Sequence, residues 1–300
     1  MVQTNLKKLI DYIGNKDSLQ QKYLRNVIGA MAEEETEELE AILDFFLRDN
    51  TIEGLGDAYL LFLDNTWEET KYFITEGHYR HSSVSEVIEK VYYNEKYMKQ
   101  YMIGLQLSGY LWKTHKIINS WYKEKLKAFK GNYYLEIGPG HGQYFLEAMN
   151  LHNFKHYVGI DLSPTSIELA SRYIGKFVED KTVDYSLICR DFLEMQFHNV
   201  FDGVCIAEVL EHTEKPEKIL QKIYDLTTIG GNVYVSVPIN GPAIDHIYLF
   251  ASIEEFLELV KSVGFVVKDY IYATEADNIS YEEALKRRCT ILLAVHLQHK

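Results

Sequence analysis

The sequence predicts an α/β fold: a mainly parallel sheet with helices on both faces, preceded by an all-helical region. Three observations carry this. From Tyr133 to the end, strand-like and helix-like runs alternate, which is the rhythm of βαβ units. From Leu6 to about position 130 the patterning is helical only, and no Pro interrupts it. Between the two lies YYLEIGPGHG, positions 133–142, where Glu136 sits just before a strand ends and Gly138, Gly140 and Gly142 follow at alternate positions. A glycine turn between a strand and a helix lets a ligand approach the backbone without meeting a Cβ. It also falls at the carboxyl edge of the sheet, where open α/β folds bind their ligands.

In the helical region, Leu6, Leu9, Ile10 and Ile13 recur at helical spacing, as do Leu39, Ile42, Leu43, Phe46 and Leu47. The acidic run at 33–40 suits the amino-terminal dipole of a helix. Capping boxes predict helix starts at Thr66 with Glu69, Ser83 with Glu86, and Ser252 with Glu255. Aromatic residues crowd positions 72–122, where Tyr93, Tyr97 and Tyr101 are four apart and so expected on one helix face. They fit a helix-bundle core, or a tyrosine-lined lid that puts Tyr93 and Tyr97 at a small-molecule pocket. The lysines from Lys113 to Lys130 read as a wet helix face. Residues 1–130 are thus expected to form a lid, an acceptor site or a dimerisation surface, and residues 131–300 the sheet.

Seven strands are expected. The first is 133–137 and the second 156–160, ended by Asp161, after which Ser163 and Pro164 start a helix as N-cap and first residue. The third, 184–189, leads into Arg190-Asp191-Phe192, and the fourth, 201–207, into Glu208-Val209-Leu210-Glu211-His212. A Gly230-Gly231 turn precedes the fifth, 232–237, which Pro238 is expected to break. The sixth is 265–271; a polar loop then leads to the last, 289–297.

Composition narrows the function. Hydrophobic content of 47% and charged content of 25% are those of a soluble globular chain. A net charge of −13, from 44 acidic against 31 basic residues, opposes general binding to a phosphate backbone. No apolar run reaches the roughly 20 residues that span a bilayer, and no signal-peptide core opens the chain. Cys189, Cys205 and Cys289 have no metal-ligand spacing and read as buried small side chains. The expected setting is the cytoplasm, with no metal, nucleic acid or membrane partner.

Asp161 lies 19 residues after Gly142 (161 − 142), at the end of the neighbouring strand, where a carboxylate can accept from both hydroxyls of a ribose. A GxGxxG dinucleotide fingerprint would need Gly at 143, where this chain has Gln143. A GxxxxGKS/T phosphate loop is absent from the sequence. A nucleoside cofactor with a charged amino-acid tail remains.

These motifs together resemble the class I S-adenosylmethionine-dependent methyltransferases, especially the small-molecule enzymes of the quinone-biosynthesis type. The segment from Glu136 to Gly142 is similar to that family's first motif, and Asp161, followed by Leu162, falls at its ribose position. Asp191 and Phe192 match its adenine site, and Phe201-Asp202 with AEVLEH its fourth-strand motif. The tail from Asp245 to Phe265 resembles its approach to the sixth strand. The resemblance covers about Tyr133 to the carboxyl terminus. It implies a Rossmann-like sheet of order 3-2-1-4-5-7-6 with strand seven antiparallel, and S-adenosylmethionine as cofactor. Glu136 either orders the glycine loop or meets the cofactor's ammonium, and Glu208 lies near its methionine part.

The activated methyl needs only a nucleophile held in line with water excluded. Should a proton have to leave, His212 and His246 are the candidate bases, with Glu211 and His141 behind them; His141 is also a pocket residue. The expected acceptor is a small molecule with an O or N nucleophile. RNA or protein as acceptor, and a non-catalytic cofactor-binding module, are the rival readings. The helical region offers a possible homodimer surface.

Overall fold

The computed structural model describes residues 4–198, 200–276 and 279–300. The first three residues of the helical region, and positions 277–278 of the polar loop expected before the last strand, lie outside the described residues. The helical region holds α1 (Asn5–Lys16), α2 (Ser18–Gly29), α3 (Glu33–Phe46), α4 (Ile52–Glu76), α5 (Val84–Val87), α6 (Glu95–Leu111) and α7 (Lys113–Leu126). After it come β1 (Tyr133–Ile137), α8 (Gln143–Asn150), β2 (His156–Asp161), α9 (Pro164–Phe177), β3 (Asp184–Cys189), β4 (Phe201–Ala207) and α10 (Pro216–Leu226). The chain closes with β5 (Thr227–Ile239), α11 (Ile253–Val263), β6 (Val266–Thr274), α12 (Tyr281–Lys286) and β7 (Ile291–Gln298).

The strands form one sheet in the order β3-β2-β1-β4-β5-β7-β6. All neighbours pair in parallel except β7, which runs antiparallel to both β5 and β6. The chain reverses hand at β1 and β4, so their carboxyl ends open onto a crevice where a ligand can sit. Alternation along each strand separates two apolar layers. Leu135, Ile137, Val204, Ile206, Val233 and Val235 pack with α10 and α11 on one face. Tyr134, Cys205, Tyr234 and Ala294 face the other way, into a core that runs on through α7 and α8 to α1, α3 and α4. The change at residue 130 is therefore one of secondary structure, and the apolar core continues across it.

Local signals explain most boundaries. Ser163 Oγ accepts from Ser166 N and caps α9, with Pro164 at its first position. Ser252 Oγ accepts from Glu255 N while Glu255 accepts from Ala251 N, and α11 ends at Gly264, φ +119°. Among the described residues no helix is long and apolar enough to cross a membrane.

Five expectations are corrected. Thr66 lies inside α4, where its Oγ1 donates to Phe62 O at 2.9 Å; Thr51 already caps this helix, and Glu69 pairs with Arg80. Pro238 does not break β5 but pairs with Leu292 of β7. Ser236 O accepts from Glu208 N on the β4 side, so by alternation Pro238 points to that side, beyond the end of β4, and its missing N–H costs no ladder bond. Gly230 and Gly231 fall within β5, with Gly230 at φ +79° beside a register shift against β4. Within the expected polar loop, Ser280 caps α12 by accepting from Glu283 N. Finally, Cys189 is exposed and only Cys205 is fully buried, because β3 is an edge strand.

Candidate active site

The carboxyl ends of β1, β2, β4 and β5, with α4, α6 and α7 above them, enclose a cavity of about 710 Å³. The glycine turn lies at its floor. Gly138, Gly140 and Gly142 have φ of +69°, +54° and +90°, a region that favours glycine. Their tasks differ. A Cβ on Gly140 would make only ordinary contacts, with Met102 Sδ at 3.6 Å and Gly138 O at 4.0 Å, leaving the backbone open to a ligand, whereas one on Gly142 would come within 3.0 Å of the Ala170 backbone in α9. Gly142 therefore serves helix packing and does not line the cavity.

Asp161, Leu162, Asp191, Phe192, Glu136 and Glu208 all border this space. Asp161 holds the glycine turn directly, its Oδ2 accepting from Gly140 N at 3.1 Å and its Oδ1 from Ser163 N at 2.8 Å. Burial pushes its pKa up to about 6, against those two backbone bonds. Glu136 faces a niche of tyrosines and accepts from Tyr134 OH at 2.8 Å; burial raises its pKa to about 8. Glu208 has φ +53°, rare for a side chain with a Cβ, and its Oε1 is buried without a hydrogen-bond partner. Burial pushes its pKa up to about 7. Asp191 caps the short 3₁₀ turn Phe192–Glu194 by accepting from Leu193 N at 2.7 Å.

Opposite the carboxylates stand the candidate bases. Tyr92 OH, His212 Nδ1 and Asp245 form one cluster: Tyr92 OH lies 3.0 Å from both His212 Nδ1 and Asp245 Oδ2, and Nδ1 is 3.1 Å from Asp245 O. Tyr101 OH donates to Asp245 Oδ1 at 3.4 Å. With its Nδ1 proton directed at Asp245, His212 presents a free Nε2, which lies 3.7 Å from Glu211 Oε1. His246 is less suited to take a proton. Its Nδ1 is 2.5 Å from Gly241 O, and burial, with His212 beside it, drives its pKa down to about 3. His141 borders the cavity too, and burial lowers it to about 4.

Glu211 is wholly buried, with both oxygens unpartnered. Glu211, His212 and His246 each bring one ligand atom within 4.8 Å of the others, a donor set that could hold a divalent cation. No metal was expected from the sequence, in which these three residues read as candidates for proton transfer and His212 also for local hydrogen bonding or cofactor contact.

Among the expected pocket tyrosines, Tyr93 precedes α6 and is 48% exposed, and Tyr97 donates no group to the cavity but accepts from Asn65 and stacks on Tyr101. Neither lines the space; Tyr92 and Tyr101 do. The helix begins only at Glu95, capped by Asn94, so the spacing from Tyr93 to Tyr97 is not a helical one. Asp245 and Tyr92 were missed as site residues. Asp245 adjoins the singled-out His246, which was the one local signal for it. An apolar part of the cavity wall comes from Phe62, Met98, Met102, Leu105, Trp112 and Ile118.

Residues 135–233 match a family model described as a methyltransferase domain. A ubiquinone biosynthesis O-methyltransferase of Dechloromonas aromatica is 31% identical over 123 residues, 41% of this chain and 50% of that protein. One of Chromobacterium violaceum is 29% identical over 106 residues, 35% of this chain and 44% of the relative. The chain spans half or less of the length of the curated relatives it matches. Among solved structures, phosphoethanolamine N-methyltransferase 2 of Haemonchus contortus, in complex with S-adenosyl-L-methionine, superposes with a TM-score of 0.51 at 16% identity. That match covers 73% of this chain and 60% of the other, a likeness of fold.

Proposed function

We propose that the chain is a class I S-adenosylmethionine-dependent methyltransferase and that it transfers the donor's methyl group to an oxygen or nitrogen nucleophile of a small molecule. One observation carries the reading: Gly140, Asp161, Asp191 and Glu208 border a single cavity that also takes in the apolar side chains of Phe62, Met98, Met102 and Trp112 and the polar pair His212 and Asp245. The residues fit the donor. Gly140 leaves its backbone open, and among the described residues neither the buried Glu136 nor Glu208, whose Oε1 is buried, pairs with a cation, which an ammonium would supply.

Bound there, S-adenosylmethionine supplies a methyl already activated on a sulfonium. The chain's own residues do the rest. Asp161 would accept from the ribose hydroxyls and Asp191 from the adenine amino group, and the Phe192 ring would pack on the base. Phe62, Met98, Met102 and Trp112 give the acceptor an apolar bed and exclude water, so the helical region forms part of the acceptor site. His212 Nε2 would take the proton of an O–H or N–H nucleophile, and Asp245 and Tyr92 hold the imidazole for this. The relatives named as O-methyltransferases favour oxygen. The net charge of −13 favours a small acceptor over RNA, and the proposed setting is the cytoplasm.

The test is a donor carrying a labelled methyl, incubated with the protein and a fractionated cell extract. We expect label in the small-molecule fraction, dependent on the protein. Label confined to RNA or polypeptide would overturn the small-molecule reading in favour of a macromolecular acceptor.

A further inference from the structure

Lys222 has no part in the site as described, yet it touches the turn that the adenine half depends on. It projects from α10, and its Nζ donates to three backbone carbonyls: Phe192 O at 2.5 Å, Met195 O at 2.6 Å and Leu193 O at 3.1 Å. The ammonium has three protons, and the three carbonyls use all of them. The same Nζ lies 4.8 Å from the centroid of the Phe192 ring and 5.5 Å from that of Phe197, within reach of a cation–π attraction. Among the described residues it makes no ion pair with a carboxylate.

The 3₁₀ turn Phe192–Glu194 has only three residues; its own backbone gives Phe192 O one donor, Met195 N at 3.3 Å, and Lys222 adds a second there and reaches Leu193 O and Met195 O as well. Its two ends are tied differently. Asp191 Oδ1 binds Leu193 N at the start, and Lys222 gathers the carbonyls at the end. Asp191 Oδ2 makes no hydrogen bond among the described residues, which leaves it available to a ligand. The carboxylate and the Phe192 ring therefore take their positions from a turn clamped by a lysine on a different element.

We propose that Lys222 is a positioning residue for the adenine half of the donor site: by clamping the 192–195 carbonyls it sets Asp191 and Phe192 to discriminate the 6-amino group of the base. This rests on the donor reading above. The test compares S-adenosylhomocysteine with S-inosylhomocysteine, which carries a 6-oxo group, on wild type, Lys222→Met and Lys222→Gln. Binding is measured by calorimetry, and near-ultraviolet circular dichroism identifies the variants that keep their tertiary structure.

Wild type should prefer the adenosyl compound by about tenfold or more, the worth of one hydrogen bond to a charged group. In Lys222→Met that preference should fall to near unity, through loss of adenosyl affinity with the inosyl affinity little changed. Lys222→Gln, which keeps two donors, should fall between, and it carries the test if the Met variant does not fold. A folded variant that keeps the full wild-type preference overturns the role of Lys222 alone, even if both affinities drop together. A wild type that binds neither compound overturns the donor reading and this inference with it.

Discussion

Asp161→Ala will weaken the binding of S-adenosylhomocysteine by about 100-fold, read by calorimetry, because two charge-assisted hydrogen bonds to the ribose are lost at about 1.5 kcal/mol or more each. A second effect works in the same direction. Asp161 also accepts from Gly140 N and Ser163 N, so Ala leaves two donors in a partly buried turn without their acceptor. Asp161→Asn should fall between wild type and Ala, since the amide oxygen can still accept from one of them. Unchanged affinity in the Ala variant would contradict the ribose assignment.

His212→Ala should lower kcat by about 10²–10³ once an acceptor is in hand, the usual contribution of a positioned base, while the affinity for S-adenosylhomocysteine changes by less than about threefold. The split follows from the proposed roles: His212, held by Tyr92 and Asp245, would serve the acceptor, whereas Asp161, Asp191 and the glycine turn are the proposed donor contacts. Equal losses in donor affinity and kcat would assign His212 to donor binding instead. Chelation separates two ways of acting. Activity that survives exhaustive chelation leaves His212 as a proton acceptor. Activity lost to the chelator and restored by Mg²⁺ or Zn²⁺ assigns it, with Glu211 and His246, to an ion.

How much of this was legible in the sequence depended on range. β1, β3 and β4 have the expected bounds because each is a short run of strand-forming residues and a charged or glycine residue follows each one. The glycine turn, Asp161 and Asp191 were readable because each stands at the carboxyl end of a strand or within two residues of it. Local signals failed where a distant partner decides. Pro238 looks like a strand breaker until β7 pairs with it on one side and β4 has ended on the other. The Thr66 capping box is a genuine motif inside a helix that Thr51 had already begun. Tyr92 meets Asp245 across 153 positions, and no spacing rule links the two. Tyr93 misled for the complementary reason: a four-residue interval is a shared face only once the helix exists, and α6 starts two residues later.

The account rests on a methyl donor seated among buried carboxylates, and calorimetry of the wild-type protein with S-adenosylhomocysteine tests that most directly. Glu136 has a pKa near 8 in the free protein, so it holds a proton below that pH. An ammonium placed against it favours the carboxylate, and binding then expels the proton. We predict one equivalent bound, with affinity rising from about pH 6.5 to about pH 8.5 and protons released to the buffer. Absence of saturable binding, or proton uptake with affinity falling over that range, would contradict it.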